Sequence, residues 1–208
     1  MHIDHLMSAI PARRSPLARL VWLLGLSLLV PAGPVRAATV AGVEVPQTLR
    51  LGPPGPDLVL NGAGVRKKFF VKVYVGALYL PRSRHRAREI LDADEPRAVT
   101  MHFLYRKVSR EKLVDAWEEG FAANLSPGAL QRLRPALDHF DGLFPDVVRG
   151  DVVSLVYRPG EGTRVSINGE LRGTVPGADF NRALLSVWIG EHPAQDSLKE
   201  AMLGGGGG

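Results

Sequence analysis

The chain has no cysteine among its 208 residues. No disulfide can form, so the fold would be held together by core packing without disulfides, even outside the cell. Hydrophobic residues make up 45% of the sequence, which is ordinary for a globular chain and argues against general disorder. At this length we expect one domain of moderate size with a sizeable core.

Several short motifs that reveal catalytic or cofactor-binding sites are also missing. No serine lies in a Gly-x-Ser-x-Gly motif, which disfavours a serine hydrolase. Gly62-x-Gly64 lacks the third glycine and the following helix of a dinucleotide site. No zinc-finger or helix-turn-helix pattern supports nucleic-acid binding. We expect no metal site, because no histidine after residue 37 has metal-ligand spacing with another histidine or a carboxylate (His85, His102, His139 and His192). We expect no cofactor either.

Positive charge is concentrated near the N-terminus. The chain has a formal charge of +5 at pH 7, and residues 1–37 contribute four arginines against a single aspartate. Arginines precede the apolar run Leu20–Val30, and Val35-Arg36-Ala37 follows it as a small-residue cleavage site. The pattern predicts a cleaved signal peptide over residues 1–37 and export, to the periplasm. An uncleaved anchor is the alternative, but this run is shorter than the about 20 residues that span a bilayer.

Residues 38–203 are predicted to form one domain, and residues 204–208 a disordered glycine tail. Hairpins such as the one predicted at Asn168-Gly169, without regular strand–helix alternation, indicate an α+β fold with helices on one face of a large antiparallel sheet. The sequence predicts a short strand or hairpin over Thr39–Leu51, and strands over Asn61–Leu80, Arg97–Arg106, Asp151–Tyr157, Thr163–Ile167 and Glu170–Val175. The predicted helices are Ala87–Ala93, one capped by Ser109, one from Ser126 towards His139, Phe180–Ile189 and Ser197–Leu203.

Arg66 and Tyr74 are the two polar side chains that stand out in Asn61–Leu80. They are eight residues apart, and this even spacing places both on one face of the sheet if the strand is unbroken. A guanidinium and a phenol on an apolar face could grip a carboxylate or a phenolate. The alternative is that Arg66 extends to solvent and Tyr74 lies at the rim of the core.

Four arginines alternate with other residues between Arg82 and Arg88. We interpret them as the solvated start of the short helix Ala87–Ala93. The alternative is a patch that binds an anionic partner such as a lipid headgroup.

The stretch around Arg66 also contains a longer motif. Gly62-Ala63-Gly64-Val65-Arg66 is followed by Phe-x-Val-Lys-Val-Tyr-x-Gly-x-x-Tyr-Leu, which ends at Leu80. The motif resembles the chalcone isomerase family, in which plant members show Gly-Ala-Gly-x-Arg and then Phe-x-Lys-Phe-Thr-x-x-Gly-Val-Tyr-Leu. A weaker similarity extends over residues 40–203. The resemblance implies an open-faced β-sandwich, in which a layer of helices covers a large antiparallel sheet and a ligand cleft lies between them.

The resemblance also assigns roles to three residues. In plant members the arginine orients a nucleophilic oxygen during ring closure, and this arginine matches Arg66. The family's threonine falls at Tyr74, and its helix lysine falls at Lys112. The fatty-acid-binding relatives keep the arginine together with a tyrosine, and there the pair holds an acyl carboxylate.

Two other family residues are replaced in this chain. Ser109 stands where the family has tyrosine, and Ala116 or Trp117 stands where it has asparagine. The lost phenol and amide would each remove a contact to the transition state. The resemblance therefore implies a protein without chalcone isomerase activity.

These observations lead to three hypotheses. The first is an exported chalcone isomerase-like protein that binds a small apolar carboxylate, such as a fatty acid, between sheet and helices. Arg66 would clamp the anion, Tyr74 would donate a hydrogen bond, and Lys112 would add a charge at the rim. The second is an intramolecular lyase or isomerase that uses the same arginine on an unknown substrate. The third is an interaction or scaffold protein whose cleft is filled by its own side chains.

Overall fold

Residues 37–52 and 55–205 are described by the computed structural model. The predicted signal peptide lies outside the described residues except for Ala37, and so do residues 206–208 of the glycine tail. Gly204 and Gly205 are described, and their amides donate to carbonyls of the last helix at 3.1 and 2.9 Å. Disorder of the tail stays a prediction for the three final residues.

Seven strands form an antiparallel sheet in the order β11-β10-β9-β6-β5-β4-β3. Two ribbons, β1-β2 and β7-β8, are separate from it. Asn168 and Gly169 form the predicted tight turn between β10 and β11, with φ angles of 53° and 82°. The strands are β1 (Ala37–Val40), β2 (Val43–Pro46), β3 (Thr48–Arg50), β4 (Asp57–Lys68), β5 (Val71–Leu80), β6 (Arg97–Phe103), β7 (Lys107–Val108), β8 (Val147–Val148), β9 (Val152–Arg158), β10 (Gly162–Ile167) and β11 (Glu170–Val175).

The helices of the described residues begin at the predicted starts or within two residues of them. Ser109 and Ser126 are N-caps, because their Oγ atoms accept hydrogen bonds from the amides of Lys112 (3.4 Å) and Ala129 (3.3 Å). None of these helices has both the length and the apolar character needed to cross a bilayer. They are α1 (Ala87–Asp92), α2 (Arg110–Asn124), α3 (Pro127–Asp141), α4 (Ala178–Ile189) and α5 (Asp196–Met202).

The two faces of the sheet bury different cores. Tyr74 and Leu78 of β5 belong to the larger core, which lies between the sheet and the helices. Val75 and Tyr79 face the opposite way, into a smaller cluster covered by the β1–β2 hairpin. There the Tyr79 hydroxyl donates to the carbonyl of Pro46 at 3.0 Å. The predicted α+β fold, a large antiparallel sheet covered by helices, is confirmed.

The predicted single strand Asn61–Leu80 is wrong. The chain turns back at Phe69 and Phe70, so the segment forms the hairpin β4–β5. A single strand over the whole segment would be about 66 Å long. This is about twice the length of a strand of about ten residues, which strands rarely exceed. Phe69 makes the reversal with a φ of 57°.

Candidate functional site

Arg66 and Tyr74 face each other across the β4–β5 hairpin. Their Cα atoms are directly paired in the antiparallel register, and directly opposed residues point to the same face of a sheet. Cross-strand pairing, rather than even spacing along one strand, therefore brings them together. A guanidinium and a phenol meet at the edge of the helix-side core.

Tyr74 is buried, with 8% of its surface exposed. Its hydroxyl accepts a hydrogen bond from Nε1 of Trp188 at 2.9 Å. Burial raises the pKa of Tyr74 to about 12, and this effect outweighs the opposing effects of the Trp188 bond and the charge of Arg66. The described residues provide no acceptor for the hydroxyl proton. The phenol is therefore neutral at physiological pH and retains an unused donor.

Arg66 is partly buried close to the start of α5. Its Nη1 donates to the carbonyl of Lys67 and, at 3.4 Å, to Oε1 of Gln195. The ion pairs of the described residues do not include Arg66. A partly desolvated guanidinium without a carboxylate partner suits an anionic ligand.

Gly62 and Gly64 let α5 lie close against β4. A Cβ atom at Gly64 would come within 2.6 Å of the Cβ of Ala201, and one at Gly62 would meet the carbonyl oxygen of Ala201. Close-packed interiors do not tolerate such approaches. The glycines of the motif therefore serve packing, and they place α5 directly over the strand that carries Arg66.

Gln195 and Asn61, which the sequence motifs did not reveal, fasten α5 to β4. Oε1 of Gln195 accepts from the amide of Lys67 at 2.7 Å, and its Nε2 donates to the carbonyl of Val65 at 3.1 Å. Nδ2 of Asn61 donates to the carbonyl of Met202 at 2.8 Å. These partners are between 128 and 141 residues apart in sequence, so no local pattern could have revealed them.

Aromatic side chains fill the space behind Tyr74. Tyr74 packs on Phe103 with the ring centroids 5.6 Å apart, and Trp188 packs on Trp117 at the same distance. The cluster continues through Phe140, Phe144, Phe180 and Phe121. Among the described residues, side chains thus occupy this part of the interface between sheet and helices.

Lys112 and Trp117 lie on different faces of α2. Lys112 is exposed, and none of the hydrogen bonds or ion pairs described here joins its side chain to Arg66 or Tyr74. Trp117 is 3% exposed, and its buried Nε1 has no partner in the described part of the chain. The structure therefore brings two of the three predicted site residues together and leaves Lys112 on the helix surface.

Two cavities lie away from the Arg66–Tyr74 pair, and neither is lined by these two residues. One, of about 820 Å³, is lined by residues of α1, α2, α3, α4 and α5. The other, of about 660 Å³, lies over the arginines between Arg82 and Arg88. Three of these arginines form ion pairs, Arg84 with Glu95, Arg86 with Glu89 and Arg88 with Asp92, which favours the interpretation as a solvated helix start. In residues 37–52 and 55–205, no group of three or more His, Asp or Glu side chains is placed to hold a metal ion.

The match to known proteins covers nearly all of the described residues. Residues 37–204 match the model of a family described as chalcone isomerase-like. The chain belongs to the chalcone isomerase-like family. Fatty-acid-binding protein 1 of Arabidopsis thaliana is 27% identical over 143 residues, which are 64% of this chain and 51% of that protein. The chain thus spans about half the length of this curated relative.

A solved structure supports the same family fold. The crystal structure of an Arabidopsis thaliana fatty-acid binding protein matches with a TM-score of 0.62 at 20% identity. The match covers 81% of this chain and 96% of that chain. The predicted membership in the chalcone isomerase-like family is therefore confirmed, and the family's glycine–arginine motif lies on β4.

Proposed function

We propose that this chalcone isomerase-like protein binds a small apolar carboxylate, such as a fatty acid, at Arg66 and Tyr74. One observation carries the proposal: a partly buried guanidinium without an acidic partner lies opposite a buried phenol with an unused donor. The relative from Arabidopsis thaliana, by its name a fatty-acid-binding protein, supports the same class of ligand.

The chemistry of the pair fits a carboxylate. The guanidinium can donate two parallel hydrogen bonds to the two oxygens, each contributing about 1.5–3 kcal/mol when charge-assisted. Tyr74 is neutral, since its pKa is raised to about 12, and its proton can add a neutral hydrogen bond of about 1 kcal/mol. Lys112 would supply at most a screened charge from the helix surface.

The acyl chain would lie between α5 and the sheet. Leu198 of α5 lies over Gly64 and Gly76, close to the ring of Tyr74. Since aromatic side chains fill the interface behind Tyr74, the ligand gains room by outward movement of α5. This helix has only seven residues, and its movement would break the hydrogen bonds of Gln195 and Asn61 that fasten its two ends. Each methylene that leaves water contributes about 0.8 kcal/mol.

We propose no chalcone isomerase activity for the chain. Ser109 caps α2 with its hydroxyl, and Trp117 is buried among aromatic rings, so neither supplies the phenol or amide of the plant enzymes. The mature protein should not accelerate the loss of chalcone absorbance. Turnover that Arg66→Ala abolishes would favour the lyase or isomerase hypothesis instead.

Titration with a medium-chain fatty acid tests the binding proposal. We expect Arg66→Ala to weaken affinity about tenfold or more, because a factor of ten corresponds to about 1.4 kcal/mol. Lys112→Ala should have a smaller effect. Arg164→Ala is the matched control, since Arg164 is an exposed arginine of β10. Equal affinities for Arg66→Ala and Arg164→Ala would contradict the assignment.

We also propose export to the periplasm after cleavage near Ala37. The apolar run flanked by arginines and the small-residue site Val35-Arg36-Ala37 support this. N-terminal sequencing of the exported protein should begin at or near Ala38. Soluble cytoplasmic protein that retains Met1 would contradict export.

A scaffold without ligand is the second candidate, and the aromatic filling behind Tyr74 favours it. In that case the wild type binds no fatty acid, and Arg66→Ala lowers the melting temperature without any effect on binding. Melting curves recorded beside the titration separate the two candidates.

A further inference from the structure

The tip of the β4–β5 hairpin is an exposed apolar segment. Phe69 and Phe70 are 88% and 100% exposed, and Val71 is 43% exposed. Phenylalanine contributes a large apolar area when it is buried. Two adjacent, fully hydrated phenylalanines therefore point to a partner that covers them.

Phe69 costs stability in this position. Its φ of 57° lies in the left-handed region, where glycine and asparagine are favoured and a bulky side chain is an outlier. Because the ring is almost fully exposed, packing within the chain does not offset the cost. Folding alone gives no reason for phenylalanine here.

Positive charge surrounds the tip. Lys67, Lys68 and Lys72 flank the phenylalanines and are exposed. The ion pairs of the described residues include none of these lysines. The sequence contains no aspartate or glutamate between Asp57 and Glu89. An apolar tip is thus combined with cations that form no ion pair among the described residues.

The connection between β6 and β7 extends this surface. The amides of Leu104 and Tyr105 donate to the carbonyl of Val73 at 2.8 and 3.1 Å, which holds the connection beside the start of β5. Tyr105 is 38% exposed, and Arg106 is exposed as well. A third aromatic ring and a further cation therefore lie at the same end of the molecule.

We propose that the hairpin tip docks onto a lipid bilayer that contains anionic headgroups. Phe69 and Phe70 enter the interfacial region, where aromatic rings are favoured, and the lysines attract the anionic headgroups. The charge complementarity and the protruding shape of the tip suit a deformable lipid surface better than a preformed protein pocket. The proposal does not depend on fatty-acid binding, because it uses neither Arg66 nor Tyr74.

Co-sedimentation with lipid vesicles tests the proposal. The exported protein, with its N-terminus verified by mass spectrometry, is mixed with vesicles of phosphatidylcholine containing about a quarter phosphatidylglycerol. We expect binding that weakens with added salt and is much weaker on pure phosphatidylcholine. All variants have the same N-terminus, so any effect of the N-terminal segment on vesicle binding is the same for each of them.

Two variants separate the apolar and the charged contributions. Phe69→Asn/Phe70→Ser should lower the partition coefficient about tenfold or more, while the melting temperature stays the same or rises because asparagine tolerates positive φ. Replacing Lys67, Lys68 and Lys72 by glutamine should lower the partition coefficient about a hundredfold, because each lost charge lowers it about fivefold. Leu171→Ser, at a 51% exposed position of β11, is the matched control and should bind like the wild type.

Two results would overturn the proposal. One is a wild type that does not bind the anionic vesicles. The other is a Phe69→Asn/Phe70→Ser variant that binds as well as Leu171→Ser. Self-association that this variant abolishes, without vesicle binding by the wild type, would assign the tip to contacts between copies of the chain. If the phenylalanine variant fails to fold, the lysine variant decides.

Discussion

Replacing Tyr74 by phenylalanine removes one oxygen and leaves a buried donor without a partner. Nε1 of Trp188 donates to that oxygen at 2.9 Å, and Trp188 is 1% exposed. Phenylalanine keeps the ring that packs on Phe103, so the change in packing is small. The perturbation therefore isolates one hydrogen bond in the helix-side core.

The cost is set by the orphaned indole N–H. A buried donor that loses its acceptor costs about 1–3 kcal/mol. For a domain of this size, each kcal/mol lowers the melting temperature by about 2–4 °C, so a fall of about 2–12 °C is expected. The loss would exceed that of most surface substitutions, which stay within about 0.5 kcal/mol.

Thermal and urea unfolding of Tyr74→Phe and Tyr105→Phe measure the effect. Tyr105 is the matched control, because it is a partly exposed tyrosine and the hydrogen bonds of the described residues do not involve its hydroxyl. A double-mutant cycle with Trp188→Phe should give a coupling of about 1 kcal/mol. Equal stabilities for the two tyrosine variants would refute the view that Tyr74 anchors α4 to the sheet.

Two pH dependences and one packing defect are also expected. Burial, together with the charge of Glu118, raises the pKa of Asp141 to about 7. Its contribution to stability is therefore fully present below about pH 4 and lost as the pH rises through 7, so Asp141→Asn should stabilise the protein at pH 8 by about 1–2 kcal/mol in urea titrations. Burial raises the pKa of Tyr79 to about 12, so stability should fall as the pH rises from about 10 to 12. Gly64→Ala should cost about 1–3 kcal/mol in thermal unfolding, because its Cβ would push α5 off β4.

Short-range signals predicted most elements of the fold. The helix caps at Ser109 and Ser126 and the turn at Asn168-Gly169 depend on residues only two or three positions apart, so the sequence displays them directly. The reversal at Phe69 has no glycine, proline or asparagine to mark it. The sequence therefore predicts one strand where the chain forms a hairpin.

The candidate site was predicted only in part. Arg66 and Tyr74 do share a face, although the hairpin pairs them rather than one continuous strand. Trp188 and Gln195, which hold the pair in place, come from distant parts of the chain. Such contacts arise from tertiary packing, and a single sequence has no periodicity that reveals them.

The position of the ligand carboxylate tests the central claim most directly. A fatty acid labelled with ¹³C at its carboxyl group can be titrated by NMR while bound to the wild type and to Arg66→Ala. A guanidinium beside the carboxylate lowers its pKa, so the carboxyl group bound to the wild type should stay ionised at lower pH than the one bound to Arg66→Ala. The same titration curve in both proteins would show that the carboxylate does not lie at Arg66.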